Sequence, residues 1–414
     1  MTRTHPHLTQ TVLDACHTLA EFTTTPGSIT RLFLTPPMHD VHAYLTDWAQ
    51  RLGMTSHVDA AGNLRCRWEG SAPEAPTLYL GSHLDTVPNA GAYDGILGVV
   101  LGFALVEALG GQRLPFALEV LGFSEEEGVR YGASFFGSLA LLGTAGPMLD
   151  LRDAGGQTVR EALTAFGLDA QALPSAEITG EALGYFEIHI EQGPVLEAAG
   201  QSVGIVEAIA GQNRFDLTFT GRASHAGTTP MLLRRDALAA AARFVVAAED
   251  LARSTPGLVA TVGMMDVKPG AGNVIPGEAR CSLDLRHARD EVRLAALPEL
   301  LASAEGFASE RGVTLTVTPK MEVQATPMHP QFRALLHQAA ADAGLPHPDL
   351  VSGAGHDAMV LAARMPAAML FVRSPGGLSH HPDEAVLAED VTDALAVGSR
   401  FLQLLAAEGG RHGL

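Results

Sequence analysis

Apolar positions along the chain follow two different rhythms. Leu8 to Ala20 carries helical spacing, and Pro36-Pro37 opens a second helix to about Leu52, proline being suited to a first turn. Thr77 to Gly81 is a short apolar run closed by glycine, which predicts a buried strand. Gly95 to Leu109 then predicts a buried helix rich in small residues, and Phe116 to Phe123 and Leu183 to Ile190 predict two more buried strands. Strand, helix, strand in this order predicts an α/β domain with a mostly parallel sheet flanked by helices. From about Gly211 to Met328 the rhythm changes. Asn213 to Thr220 alternates like a half-buried strand, Arg234 to Leu251 is helical, and Gly257 to Val267 predicts a strand. Arg280 to Arg286 alternates again, Glu291 to Arg311 is helical, and Val313 to Pro319 closes the set. That order, β-α-β-β-α-β, is the ferredoxin-like split unit. Gln331 to Ala343 resumes as helix, Ala367 to Val372 as strand and Asp390 to Ala406 as helix. The expectation is one α/β domain, residues 1–211 and 329–414, interrupted by a smaller α+β domain, residues 212–328.

Composition narrows the function by exclusion. The chain has 414 residues, enough for a sizeable core without staples. Its 27 basic and 46 acidic residues give a net charge of −19, and no basic run could follow a phosphate backbone. An anionic membrane surface would repel it, and the most apolar run, Ile96 to Val106, is far short of the roughly 20 residues a span needs. These features argue against nucleic-acid and membrane partners. The three cysteines, Cys16, Cys66 and Cys281, are far apart and odd in number, so no disulfide framework is expected. The N-terminal stretch lacks an apolar signal-peptide segment, and a reducing cytoplasm is the expected location. There are 17 histidines against two lysines, and several lie beside carboxylates.

Those histidines fall at particular places. His83 and Asp85, in Gly81-Ser-His-Leu-Asp85, sit just past a strand end, the edge where open α/β sheets bind ligands. They suit either a buried histidine pinned by an acid or a metal ligand oriented by one. Asp94, in a glycine-flanked turn before the helix, suits a helix cap or a ligand. Ser124-Glu125-Glu126-Glu127 leaves another strand. Three adjacent acids require solvation or a cation. His189 is delivered by a further strand, and His380-His381 follows the strand Ala367 to Val372. Four strands thus each release a histidine or carboxylate at the C-terminal end. Imidazole and carboxylate without thiolate suit zinc, manganese, cobalt or nickel, and such a set can hold two ions with a bridging carboxylate. No P-loop, nucleophile-elbow serine, dinucleotide fingerprint or activated cysteine is present.

The runs GSHLDTVPNAGAYDG, FSEEEGVRYG, EIHIEQGPVLE, GRASHAGTTPM, GNVIPGE, LDLR, SGAGHDAM and GLSHHPDE appear in that order. Together they resemble the hydantoinase/carbamoylase branch of the M20 metallopeptidase superfamily. That branch includes N-carbamoyl-L-amino-acid hydrolases, β-ureidopropionases and allantoate amidohydrolases. The resemblance implies that His83, Asp94, Glu127, His189 and His380 hold two divalent ions per subunit, with Asp94 between them. It implies Glu126 as general base and Asp85 as the histidine-orienting acid. The inserted domain would be a lid and homodimerisation surface, and His225 would reach the partner's site to polarise the scissile carbonyl. Arg286 and Asn273 match residues that hold a substrate carboxylate. Gln192, Arg214 and the loop through Gly355 and His356 are further candidates for substrate contact. The implied substrate is a small ureido-carboxylate such as allantoate or an N-carbamoyl-L-amino acid, hydrolysed to release ammonia and CO2. A peptidase or aminoacylase on the same centre, or a metal-free solute-binding scaffold, are the alternatives.

Overall fold

The computed structural model describes residues 6–412. By its internal contacts the chain divides into Met1–Glu207 with Met328–Leu414, and Ala208–Pro327.

A nine-stranded sheet, built mainly from the first unit, runs in the order Thr55–Val58, Leu64–Trp68, Ala117–Phe123, Thr77–His83, Ala182–Ile190, Ala367–Val372, Val203–Ile209. Thr326–Pro327 pairs at the end of the last, and Asp349–Ser352 lies beside it. Ala117–Phe123, Thr77–His83, Ala182–Ile190 and Ala367–Val372 are mutually parallel neighbours, while Leu64–Trp68 and Val203–Ile209 flank them antiparallel. Three of these parallel strands are buried at every residue, which requires cover on both faces. One cover is the helix Ile96–Ala108, buried from Ile96 to Val106. Its small residues have a packing reason. A Cβ on Gly98 would stand 2.2 Å from the Ile188 carbonyl oxygen, so only glycine lets the helix lie this close to the strand. The helix Pro37–Leu52 begins after Pro36 and ends at Gly53 in the left-handed region.

In the second unit, Met265–Lys268, Glu278–His287, Gly211–Thr220 and Thr314–Val323 form an antiparallel sheet in that order. With the helices Ala237–Ser254 and Asp290–Ser309 this is the ferredoxin-like arrangement. Leu217, Phe219, Phe244, Leu283, Leu285 and Leu300 form its own core. The strand expected over Gly257 to Val267 is two pieces, Val259–Thr261 and Met265–Lys268, each paired with Glu278–His287. Gly263 lies in the break, where the Ser282 main chain and hydroxyl bind Met264. The hairpin Thr55–Val58/Leu64–Trp68 and the strand Val203–Ile209 were not expected, because short segments without sustained periodicity resemble loops in sequence.

Candidate metal centre

The four parallel strands are neighbours, so their C-terminal ends open on one edge of the sheet. His83 ends one strand opposite Phe123, and His189 pairs with Phe371. Ser124–Glu127 follows the strand Ala117–Phe123 directly, and the Ser379-His380 segment comes after the strand Ala367–Val372 by way of the short turn Pro375–Gly377. Asp94 occupies the turn between the His83 strand and its helix. It does not cap that helix: Gly95 is the N-cap and no side chain caps it. The Asp94 carboxylate points among the histidines instead.

His83 Nε2 lies 3.3 Å and His189 Nε2 3.2 Å from Asp94 Oδ1. On the other side, His380 Nε2 lies 3.4 Å from Asp94 Oδ2 and 3.4 Å from Glu127 Oε1. Each imidazole in the strand pair is oriented from behind. His83 Nδ1–H donates to the Asp85 carbonyl and His189 Nδ1–H to the Ile190 carbonyl, both at 2.9 Å. That tautomer turns the Nε2 lone pairs inward, as a metal ligand needs. The Asp85 carboxylate is 3.8 Å from His83 Nδ1; its own partners are the main-chain N–H groups of Glu126 at 3.0 Å and Glu127 at 3.1 Å. Asp85 therefore orients the imidazole through its main chain and the acidic turn through its side chain. Buried Arg31 ties this segment down by donating to the Leu84 carbonyl at 2.7 Å.

Two ligand groups result, His83–Asp94–His189 and Asp94–Glu127–His380, and Asp94 belongs to both. A third, His83–Glu126–Glu127, places Glu126 beside them. The donor set fits divalent ions, and His189 Nε2 is a buried atom without a hydrogen-bond partner. The acidic turn is buried rather than solvated, with Glu125 1% and Glu126 8% exposed. Burial alone would raise the Asp94 pKa, but His189 and His83 hold it well below the usual carboxylate range. Burial pushes Glu127 up to about 7, opposed by His83 and reinforced by Asp94 and Asp85. Burial also drives Glu126 well above its ordinary value, with His83 opposing and Asp357, Glu127 and Asp85 adding to it. Carboxylates this crowded are stabilised by a cation among them. Backbone strain marks the same turns: Glu125, Gln192 and His380 have φ of 52°, 58° and 56°.

Gln192 is drawn into the cluster, its Nε2 donating to Asp94 Oδ2 and to Ser379 Oγ, both at 3.0 Å. His356 is 2% exposed, its ring edge-on to His189 at 4.6 Å and its Nε2 2.8 Å from Ser352 Oγ. Burial, with His189 beside it, holds His356 well below its ordinary pKa, so it is neutral. Gly355 is exposed in the same loop. Sequence reasoning missed Ser379, whose hydroxyl donates to Asp94 Oδ2 at 2.9 Å, and Glu384, which binds the Asp94 main chain. Both lie inside a motif already noted, but their partner is about 290 positions away.

Within the second unit, His225 and Asn273 are brought together. Val274 pairs with His225, and the Ala226 N–H donates to the Asn273 carbonyl at 3.0 Å. His225 Nδ1 accepts from the Gly227 and Thr228 N–H groups at 3.0 and 3.2 Å, which leaves Nε2 of the exposed ring as the nitrogen that carries a proton. Arg286 grips Asp284 with two 2.8 Å bonds, and Arg214 donates to the same carboxylate at 2.8 Å.

Residues 79–406 match the pattern of peptidase family M20/M25/M40. The chain belongs to that family. It is 41% identical over 380 residues to the N-carbamoyl-L-amino acid amidohydrolase of Geobacillus stearothermophilus, covering 91% of this chain and 92% of that one. It is 35% identical over 415 residues to allantoate deiminase 1 of Glycine max, covering 92% and 86%. The crystal structure of a hydantoinase/carbamoylase family amidase from Burkholderia multivorans superposes with a TM-score of 0.91 at 33% identity, over 96% of this chain and 98% of that one. Within the family, the chain is an amidohydrolase of this branch, a hydrolase of non-peptide C–N bonds. Among the described residues, no helix is long and apolar enough to cross a membrane.

Proposed function

We propose that this M20 amidohydrolase cleaves the ureido C–N bond of a small carboxylate substrate, allantoate or an N-carbamoyl-L-amino acid, using two divalent ions. The observation that carries this is the pair of histidine–carboxylate groups sharing Asp94, with Glu126 alongside. Ions held by His83, Asp94 and His189, and by Asp94, Glu127 and His380, would supply Lewis acidity toward water and the carbamoyl oxygen. The chain's own groups do the rest. Glu126, made a strong base by burial, takes a proton from the attacking water and returns it to the leaving amine nitrogen. The carbamate released breaks down to ammonia and CO2. His225, with its proton fixed on Nε2, donates to the carbonyl oxygen as charge develops there. In this reading it is supplied by a second copy of the chain, the second unit acting as lid and dimerisation domain. Arg286 and Arg214 share the single Asp284 carboxylate, so these three groups carry a net positive charge for the substrate carboxylate. Asn273, Gln192, Gly355 and His356 are the remaining substrate contacts proposed.

The test is ammonia release by metal-stripped protein reloaded with Mn, Zn or Co, across allantoate, ureidoglycolate and a panel of N-carbamoyl-L-amino acids. Metal-dependent ammonia from at least one is expected. Hydrolysis of dipeptides or N-acyl amino acids with no ammonia from any ureido compound would establish the peptidase or aminoacylase reading instead. For the shared site, mixing inactive His225→Ala and Glu126→Gln subunits is expected to restore activity through heterodimers, and a silent mixture contradicts it.

A further inference from the structure

We propose that Glu384 is a positioning residue that builds the second ligand group, Asp94–Glu127–His380, without touching an ion itself; this rests on the metal reading above. Glu384 lies four residues after His380 and is 5% exposed. Its Oε1 accepts from the main-chain N–H groups of both Tyr93, at 2.9 Å, and Asp94, at 3.0 Å. Its own N–H donates to the His381 carbonyl at 3.0 Å. Opposite it, Gly91 leaves no room for a side chain: a Cβ there would stand 2.3 Å from the Glu384 Cβ. One buried carboxylate therefore fastens the turn that carries Asp94 to the loop that carries His380.

The two ligand groups depend on this fastening unequally. His83 and His189 sit on strands of the sheet, are almost fully buried, and are oriented by the nearby main-chain carbonyls of Asp85 and Ile190. His380 has neither support. It follows the strand on a loop, with φ at 56° and its side chain 48% exposed. The distance between Asp94 Oδ2 and His380 is thus set by how the two loops are held: Glu384 fastens their main chains, and the Ser379 hydroxyl meets Asp94 Oδ2. Asp85 does the same for the third member, accepting the Glu127 N–H. Outer partners of this kind typically change metal affinity 10- to 100-fold.

The experiment is titration of metal-free protein with manganese(II) alone, by calorimetry and by metal analysis after gel filtration. The wild type is expected to bind two ions per subunit. Glu384→Ala is expected to keep the first affinity and weaken the second by about 10- to 100-fold. Glu384→Gln is expected to stay within about threefold of wild type for both, since both bonds fall on Oε1 and an amide oxygen can accept them in the same place. Unchanged binding in the alanine variant overturns the proposal. So does equal weakening of both ions, which marks a merely structural residue, and so does a glutamine variant as impaired as alanine. A wild type that binds no ion overturns the metal reading and this proposal with it, whereas failure confined to the variants leaves that reading standing.

Discussion

On the helix Pro37–Leu52, His42 is turned inward, its ring edge-on to Phe166 and its Nε2 without a hydrogen-bond partner. Burial, with His39 nearby, lowers its pKa from 6.5 to about 4. The folded value lies below the unfolded one, so the unfolded chain takes up the proton first. The stability involved is complete above about pH 6.5 and drains as the pH falls toward 4. A shift of this size corresponds to about 3 kcal/mol. Urea unfolding of His42→Leu at pH 7 and pH 4.5 is expected to show a smaller acid-induced loss than the wild type; parallel losses in the two proteins contradict the assignment. At the candidate metal centre the residue proposed to be most sensitive is Glu126. Glu126→Gln removes the proposed base while leaving every proposed ligand, so ammonia release is expected to fall on the order of 10²- to 10⁴-fold with metal content unchanged. The residue types of this candidate centre were legible because His83, Glu127 and His189 lie at or just past recognisable strand ends, Asp94 just before a recognisable helix, and His380 in the loop after a recognisable strand. Glu384 and Ser379 were not, since what they do depends on a contact with a distant turn.

At the scale of elements, the site is a set of strand-to-loop exits fixed by main-chain hydrogen bonds. The tightest is Tyr93-Asp94-Gly95. Gly95 has φ of 69°, and a Cβ there would stand 2.5 Å from the His83 ring. Gly95→Ala is expected to cost about 1–2 kcal/mol from the left-handed backbone alone. It should also displace His83 and so reduce binding at the His83–Asp94–His189 group. Thermal unfolding with and without manganese checks both effects, and a variant with wild-type metal stabilisation refutes the second. The long buried runs were readable as strands because a short, continuously apolar segment must be covered on both faces, as the inner strands of a parallel sheet are. Val203–Ile209 and the hairpin Thr55–Val58/Leu64–Trp68 were not, and the strand expected over Gly257 to Val267 breaks around Gly263. Pairing partners, which sequence periodicity does not contain, decide such segments.

For the whole molecule, Ala208–Pro327 has a core of its own, and its ends meet: Ile209 pairs with Thr326 and Ala208 with Pro327. A fragment of residues 208–327 is therefore expected to fold alone and unfold cooperatively by circular dichroism; a fragment without a melting transition contradicts this. By itself the sequence determined the α/β class, the β-α-β-β-α-β order of the second unit and the residue types of a candidate metal centre. Those follow from local periodicity and from side-chain chemistry, which each segment carries with it. Tertiary structure decided that Asp94 faces two imidazoles with one oxygen and a third with the other, that Asp85 holds the acidic turn, and that Glu384 clasps a turn 290 positions earlier. Such contacts arise only when the sheet sets neighbouring strand ends side by side, and strand order is a property of long-range pairing.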